Sequence, residues 1–307
     1  MSRWLITGAG GLLGRELTHR LNHHGHEAYG LDREHLDIRD RVAVAAAVSA
    51  VAPDVVVNCA AVTSIERCEA DQELAMAVNA AGVRNLAGIC AGTGSRLVHI
   101  STDYVFGGRA SLPYPEDAPP DPGNVYGRTK VVGERAVREA LPDTGYVLRT
   151  SWLYGTTGRS FVRTMIRLER EQESTAVVDD QRGQPTWAGD VTERILDMLR
   201  LGVPAGIYHA TNSGSATWYE LAREVFALLG ADPARIRSTT SAERGETIAR
   251  PAFSVLGHGR WRAVGLPPLR HWRTALHAAF PQVLRAADAT KAATGGARDR
   301  THVQPKE

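Results

Sequence analysis

The first fourteen residues of this chain leave little freedom in what the rest can become. Trp4-Leu5-Ile6-Thr7 reads as a buried parallel strand, Gly8-Ala9-Gly10-Gly11-Leu12-Leu13-Gly14 as a tight turn, and the residues that follow, to about 22, as an amphipathic helix. Glycines at such a turn let the backbone come close to a phosphate, and the helix start offers unpaired N–H groups at the positive end of its dipole. Strand, glycine turn and helix in that order predict a parallel α/β sheet with a dinucleotide pyrophosphate at the turn. Gly8, Gly10, Gly11 and Gly14 fit both Gly-x-Gly and Gly-x-x-Gly-x-x-Gly spacing, so the glycines leave the subtype open.

A second strand over Glu27–Leu31 ends at Asp32, 18 residues after Gly14. An acid in that place accepts hydrogen bonds from the adenosine ribose and favours NAD, whereas the guanidinium of Arg33 beside it matches a 2′-phosphate and admits NADP. The pair leaves NADH and NADPH both open, and the alternative for Asp32 is a solvated turn at a strand end. Asp37, within Leu36-Asp37-Ile38, reads as the N-cap of the next helix or as a contact to the adenine edge.

Strand-like runs at 54–58, 96–100 and 146–150 alternate with helical ones at 74–91 and 126–141. This alternation predicts the α/β class, a Rossmann-type doubly wound parallel sheet covered by helices on both faces. Residues 1–150 are expected to form the dinucleotide-binding domain and 151–285 a smaller substrate-binding domain, some of whose segments return to the Rossmann core. Helical segments in that part are expected at 161–170, 191–201 and 218–229, and 286–307 reads as a mobile tail. An apolar content of 43% over 307 residues is enough for a full core, and a formal net charge of +2 leaves no basic stripe for a nucleic acid polymer. Cys59, Cys68 and Cys90 are few and not in metal spacing, as expected of buried thiols in a reducing compartment. With no apolar run expected to reach the ~20 residues that span a bilayer, and no signal core ahead of the first strand, a soluble cytoplasmic protein is expected.

Tyr126-Gly127-Arg128-Thr129-Lys130 sets a phenol and an ammonium four residues apart on one helix face. A free phenol has a pKa of about 10, and a neighbouring cation together with a bound nicotinamide lowers it towards the range of a general acid. An isolated Tyr-x-x-x-Lys is more often a plain surface face; here it follows a strand that ends in Ser101-Thr102-Asp103-Tyr104-Val105-Phe106. Carboxyl ends of strands are where ligands collect in an open α/β sheet, and these hydroxyls and the carboxylate suit a sugar carbonyl and its neighbours. The plainer reading is an Asx or ST turn closing the strand. His23, His24 and His26 sit at the polar end of the first helix without an acid at ligand spacing, and read as a solvated terminus. His99, among apolar strand residues, reads as a satisfied buried imidazole.

The glycine turn, Asn58-Cys59-Ala60-Ala61, the Ser101 to Phe106 segment, the Tyr126 helix, Arg149-Thr150-Ser151-Trp152-Leu153-Tyr154 and Asp180-Gln181-Arg182-Gly183-Gln184-Pro185-Thr186 follow one another in the order seen in extended short-chain dehydrogenase/reductases. Over residues 3–285 the chain resembles the dTDP-4-dehydrorhamnose reductase family in particular. The resemblance implies NADH- or NADPH-dependent reduction of the C4 ketone of a dTDP-4-keto-6-deoxy sugar, with Thr102, Tyr126 and Lys130 as the catalytic group. It implies that Gly11, Leu12 and Leu13 line the pyrophosphate beside Gly8 and Gly14. Asp32, Asp37 and Ile38 would meet the adenosine half, and Ala61, Val62 and Thr63 would flank the cofactor beyond the third strand. Asp103 would hold a sugar hydroxyl and Trp152 would wall the sugar pocket, the alternative for Trp152 being a core residue. Arg149, Arg182 and Arg250 are candidates for the sugar's diphosphate. Two other readings are a sister reductase of the dihydrostreptose synthase kind and a non-catalytic nucleotide-binding regulatory subunit, against which the intact Thr102, Tyr126 and Lys130 argue. The resemblance also implies a homodimer with Mg2+ between carboxylates at its interface. Trp187-Ala188-Gly189-Asp190-Val191 departs from that acidic pattern, so no metal site is assigned.

Overall fold

The computed structural model describes residues 2–298. The chain opens with β1 (Arg3–Thr7), α1 (Leu12–His23), β2 (Glu27–Leu31), α2 (Arg41–Val51) and β3 (Val55–Asn58). Next come α3 (Ile65–Ala70), α4 (Gln72–Met76), a π-helical stretch (Ala77–Gly82), α5 (Val83–Thr93), β4 (Arg96–Thr102), α6 (Val125–Ala140) and β5 (Gly145–Thr150). The later half adds β6 (Leu153–Tyr154), α7 (Phe161–Glu171), β7 (Thr175–Val178), β8 (Arg182–Gly183), β9 (Thr186–Trp187), α8 (Ala188–Arg200) and β10 (Gly206–His209). It closes with β11 (Asn212–Ser213), β12 (Ala216–Thr217), α9 (Trp218–Leu228), β13 (Ile236–Thr239), α10 (Gly259–Ala263), β14 (Leu269–His271) and α11 (Trp272–Arg298).

Six parallel strands make the main sheet in the order β10-β5-β4-β3-β1-β2. Every residue of β3 and β5 is buried, as a sheet covered on both faces requires, and Val55-Val56-Val57 supplies the branched side chains that suit it. One face packs Leu13, Leu17 and Leu21 of α1 against Val191, Ile195 and Met198 of α8. The opposite face packs Val44 and Val48 of α2 with Val83, Leu86 and Cys90 of α5. A separate cluster joins α7, α9 and α11 through Val162, Ile166, Leu221, Phe226, Leu276 and Phe280. Strand order reverses between β1 and β3, and the crevice outside their carboxyl ends is where such a sheet binds ligands.

Three expectations change. The N-cap of α2 is Asp40, whose side chain accepts from the N–H groups of Val42 and Ala43, so Asp37 does not cap it. A helical run over Gln72–Thr93 is, by length and composition, long and apolar enough to cross a membrane, contrary to the expectation of no such run. Its Val83, Leu86, Ala87 and Cys90 are buried in the sheet's core cluster, which marks it as a core helix. Finally, α11 continues helical to Arg298, past the residue where the apolar period fades, while 299–307 of the expected tail lie outside the described residues.

The glycine turn is held by backbone proximity. Gly8 has a φ of +68°, and a Cβ there would sit 2.6 Å from the Ala60 nitrogen. A Cβ on Gly14, inside α1, would sit 2.5 Å from the Gly8 carbonyl oxygen. Gly88, in α5, has nothing within 4 Å of its Cβ position. Gly14→Ala should therefore destabilise the protein by about 1–3 kcal/mol through overpacking, and Gly88→Ala should stabilise it by roughly 0.5–1 kcal/mol. Urea unfolding of the two variants checks this; equal midpoints would show that the turn tolerates a methyl.

Candidate active site

The turn at the head of α1 has the form of an anion cradle. Gly11 caps the helix in an extended conformation with no side-chain cap, which leaves the first-turn N–H groups to a ligand. A Cβ on Gly10 would lie 3.2 Å from the Asp32 Cβ, so the turn and the acid at the end of β2 face one another closely. Asp32 Oδ1 accepts from the Glu34 and His35 N–H groups (2.9 and 3.2 Å) and from His35 Nδ1 (2.7 Å), bonds that Oδ2 does not share. The His35 hydrogen bond holds this carboxyl below its ordinary range, and Arg33 next to it is exposed. Glycine N–H groups with a carboxylate one strand away fit the pyrophosphate and ribose of one dinucleotide.

The other residues expected around it divide. Asp37 is occupied by Arg39, at 2.5 Å. Ile38 is a core residue whose side chain lies against Gly82, so only its backbone is left for an adenosine contact. Ala61, Val62 and Thr63 follow β3 as a loop, which Asn79 clamps: its Oδ1 accepts from the Val62 N–H at 2.9 Å and its Nδ2 donates to the Val62 carbonyl at 3.0 Å. Asn79 comes from the π-helical stretch and also donates to Thr129 Oγ1 on α6 at 3.0 Å. Helical periodicity alone does not single out this residue.

Helix α6 starts at the Asn124 N-cap, which accepts from the Gly127 N–H, and it lies flush on the β4 end because Gly127 has no Cβ to meet the Tyr104 carbonyl. That seat brings Thr102, Tyr126 and Lys130 to one edge. The Tyr126 phenol faces the Thr102 hydroxyl, and its ring meets Tyr104 edge-on at 5.9 Å. Burial pushes the phenol up from its ordinary value and Thr102 pulls it back. Without a dinucleotide in place, Lys130 is not what lowers it: the amine donates to the Ile100 carbonyl at 2.6 Å and meets His99 Nε2 at 3.2 Å. Burial brings Lys130 down to about 8. A phenol so placed stays protonated at neutral pH, which suits a proton donor.

Thr102 also closes the expected ST turn by accepting from the Tyr104 N–H, and it donates to Asp103 Oδ1 at 3.1 Å. Asp103 is buried, and burial pushes its carboxyl up to about 6 against the pull of the Ser254 and Thr102 hydroxyls. Its Oδ2 has no hydrogen-bond partner among the described residues, an orphan acceptor of the kind a ligand hydroxyl satisfies. Trp152 has a φ of +45°, a strained conformation for a bulky residue, and stacks on Trp218 with ring centroids 3.5 Å apart. Gly183 is needed beneath it, since a Cβ would lie 2.6 Å from the indole. Trp218 and Ser254 were not readable as neighbours of the site, because long-range packing alone brings them there.

The candidate arginines are spoken for. Arg149 is fully buried and bidentate on Glu134 (2.9 and 2.7 Å), which removes it as a phosphate ligand. Arg182 pairs with Glu220, and Arg250 pairs with Glu66 while hydrogen-bonding Tyr104. Asp190 is held by Arg270 at 2.8 Å and Asn212 at 2.7 Å. Among the described residues there is no group of three or more His, Cys, Asp and Glu arranged to hold a metal. His24 lies 3.5 Å from Glu193 and His26 bonds Ser2. The three cysteines are free, and burial pushes the Cys59 thiol up to about 12, which leaves it unreactive.

A glycine turn facing an acid, with hydroxyl, phenol and amine along the carboxyl edge of the same parallel sheet, is the architecture of the extended short-chain dehydrogenase/reductases. Within that class, residues 2–285 match the family described as RmlD substrate binding domain, and the chain belongs to it. It is 54% identical over 283 residues, covering 91% of this chain and 93% of the relative, to the dTDP-4-dehydrorhamnose reductase of Streptomyces griseus. It is 55% identical over 285 residues, covering 92% and 96%, to a probable dTDP-4,6-dihydroxy-2-methyloxan-3-one 4-ketoreductase of Streptomyces antibioticus. Among solved structures, dTDP-4-dehydrorhamnose reductase from Bacillus anthracis in complex with NADP superposes with a TM-score of 0.88 at 37% identity, covering 92% of this chain and 99% of that one.

The unpartnered oxygen of Asp103 carries a pH dependence. Its carboxylate form, present above about 6, accepts a hydroxyl; as the pH falls through about 6 the acceptor is protonated. The specificity constant for the ligand that binds there should fall on the acid side around that pH, and Asp103→Asn should be low and flat across the same range. A wild-type profile without the acid limb would remove Asp103 from ligand binding.

Proposed function

We propose that this chain reduces the C4 ketone of a dTDP-4-keto-6-deoxy sugar with NADPH or NADH, most directly dTDP-4-dehydro-L-rhamnose to dTDP-L-rhamnose. The observation that carries the reading is the placement of the Tyr126 phenol beside the Thr102 hydroxyl at the carboxyl edge of β4, with Lys130 one turn along α6. The family membership and the activity for which the Streptomyces griseus relative is named support the substrate class. The NADP in the Bacillus anthracis structure supports the cofactor.

The residues that would hold the dinucleotide are Gly8, Gly11, Leu12, Leu13 and Gly14 at the pyrophosphate, Asp32 and Arg33 at the adenosine ribose, and the 61–63 loop with Lys130 further along. The chemistry a bound reduced nicotinamide supplies there is transfer of a hydride to the ketone carbon. Thr102 orients the ketone oxygen through its hydroxyl. Tyr126 gives its proton to the same oxygen as charge develops, completing the alcohol. Lys130 is set to hold the nicotinamide ribose and to settle the phenolate left behind. Asp103 Oδ2 accepts from a neighbouring sugar hydroxyl, and the Trp152 and Trp218 pair forms a flat apolar wall. Residues 151–285 would supply most of the sugar pocket. The protein would act away from any membrane, in the cytoplasm, as a homodimer.

A second reading is favoured by the similarity to the Streptomyces antibioticus ketoreductase, as high as to the rhamnose enzyme. In that reading the chain is a sister reductase acting on another dTDP-4-keto sugar, in antibiotic deoxysugar biosynthesis. Feeding dTDP-4-keto-6-deoxyglucose with and without a 3,5-epimerase, and identifying the product by NMR, separates the two: product formed only without the epimerase removes the rhamnose assignment. Tyr126→Phe should lose roughly 10²- to 10⁴-fold in turnover with dinucleotide binding retained, the scale of a single general acid. Wild-type turnover in that variant would refute the role. Comparing NADH with NADPH at equal concentration reads the Asp32 and Arg33 contest. A tenfold preference for NADPH means that the guanidinium outweighs the carboxylate, and Arg33→Ala should then abolish the preference.

A further inference from the structure

His99 takes no part in the mechanism above, yet it lies fully buried between two groups that belong to the site's frame. Its Nδ1 meets Asn58 Nδ2 at 3.0 Å and its Nε2 meets Lys130 Nζ at 3.2 Å. Which nitrogen carries the imidazole proton follows from the donors and acceptors around Asn58. Asn58 Oδ1 accepts from the Thr7 hydroxyl at 2.7 Å and from the Ala60 N–H at 3.1 Å. Turning the amide over would aim its NH2 at the Ala60 N–H, which can only donate, so the orientation is fixed. Asn58 Nδ2 must then donate to His99 Nδ1. A neutral imidazole whose Nδ1 accepts carries its proton on Nε2, and that N–H points at Lys130 Nζ. An ammonium has no lone pair to receive it. Thr7, Asn58, His99 and Lys130 are each at most 1% exposed, so water is not there to relieve a donor facing a donor.

We infer that His99 is a positioning residue for the catalytic lysine: locked by Asn58 in the Nε2–H tautomer, it donates to Nζ and holds Lys130 as a neutral amine until a dinucleotide binds. The inference rests on the reading of Lys130 as part of the catalytic group for its meaning, though not for its geometry. The ammonium form is reachable only with the Nδ1–H tautomer, which sets two buried donors against each other at the Asn58 contact. The other groups facing Nζ do not reverse this. From β4 the Ile100 carbonyl accepts one amine hydrogen, which either charge state provides. The Cys59 thiol beyond β3 and the Cys68 thiol on α3 are kept protonated by burial. On α6 itself Tyr126 is a neutral phenol, and the Glu134 carboxyl is engaged by Arg149 and by the Ser101 hydroxyl. The depression of Lys130 by burial acts in the same direction as the imidazole N–H.

The consequence is a lysine whose charge appears late, when a ligand in the crevice offers it acceptors, instead of one that carries a buried charge through the empty state. The chain has only three lysines, Lys130, Lys291 and Lys306, so labelling lysine Cε with ¹³C gives at most three signals, and Lys130→Met identifies the one of interest. In the full-length protein without dinucleotide, ¹⁵N-histidine spectra should show His99, assigned by its loss in His99→Gln, protonated on Nε2 and not on Nδ1. The Lys130 signal should titrate roughly one unit or more higher in His99→Gln, and likewise in Asn58→Leu, which keeps the imidazole but frees its tautomer. An Nδ1–H imidazole in the wild type overturns the inference, as does a Lys130 titration that stays put in His99→Gln. If either variant fails to fold, the wild-type tautomer decides alone. None of these signals depends on turnover, so a protein that left keto sugars untouched would defeat the proposed function while leaving the His99 result intact.

Discussion

Everything at the carboxyl edge depends on how closely α6 lies against the sheet. Two glycines make that contact possible: a Cβ on Gly127 would fall 2.1 Å from the Tyr104 carbonyl oxygen, and one on Gly133 would fall 2.4 Å from the Asn79 carbonyl oxygen. With no side chains between, the helix backbone rests directly on the end of β4 and on the π-helical stretch. Tyr126, before the first glycine, and Lys130, between the two, then reach the crevice from a rigid support. A site on such a support holds its geometry better than one on loops. The cost is that α6 has little room to adjust. A methyl at either glycine displaces the whole reacting group at once.

The surroundings of this contact draw the reacting groups towards their neutral forms. Glu134 and Arg149 satisfy each other bidentately under the site, with Ser101 donating to Glu134 and Phe106 beneath the guanidinium. Such a pair contributes little net stability, but removing one partner leaves the other charge uncompensated, at about 3–5 kcal/mol. With that pair closed on itself, burial is the first cause of the shifts at Lys130, Asp103 and Tyr126, and in each case it favours the uncharged form. These groups are therefore closer to neutral than they would be in water. Binding of an anionic dinucleotide would favour the charged form of Lys130 and oppose ionisation of the Tyr126 phenol, so protonation and occupancy are coupled.

Local pattern made the sheet legible. The glycine turn, the valine-rich third strand and the alternation of periods gave strands and helices whose ends in the structure lie within a few residues of expectation, because each depends on neighbours in sequence. What escaped was what depends on distant partners. Asp37 and Asp40 are equally good caps by residue type, and the helix takes Asp40 while Arg39 engages Asp37. The π-helical stretch shifts the register within a run that reads as uniform helix, and with it Asn79 turns towards the loop after β3. Arg149 suits a phosphate by type and is neutralised by Glu134, 15 residues away in sequence, a pairing no motif announces. His99 reads correctly as a satisfied buried imidazole, and its partners are Asn58 and the Lys130 amine.

The sugar is the part of the reaction least constrained by this machinery. Relatives named for different keto sugars stand at 54% and 55% identity to the chain, so overall similarity does not track the substrate. Proton delivery at C4 needs only the ketone oxygen within reach of Thr102 and Tyr126, and it is indifferent to configuration elsewhere on the ring. Under the proposed function, discrimination falls to surfaces that would meet the other carbons, the Asp103 carboxylate and the indole pair. Trp152 is strained at its own backbone and kept so by Gly183 below and Trp218 in the stack, while Gln181 accepts from the Trp218 ring nitrogen at 3.1 Å and donates to Ser241 and Glu246. A wall braced in this way cannot adapt to an epimer by moving one side chain. A change in that wall therefore requires a change in its brace, at Gln181 or Trp218, distant in sequence from Thr102 and Tyr126.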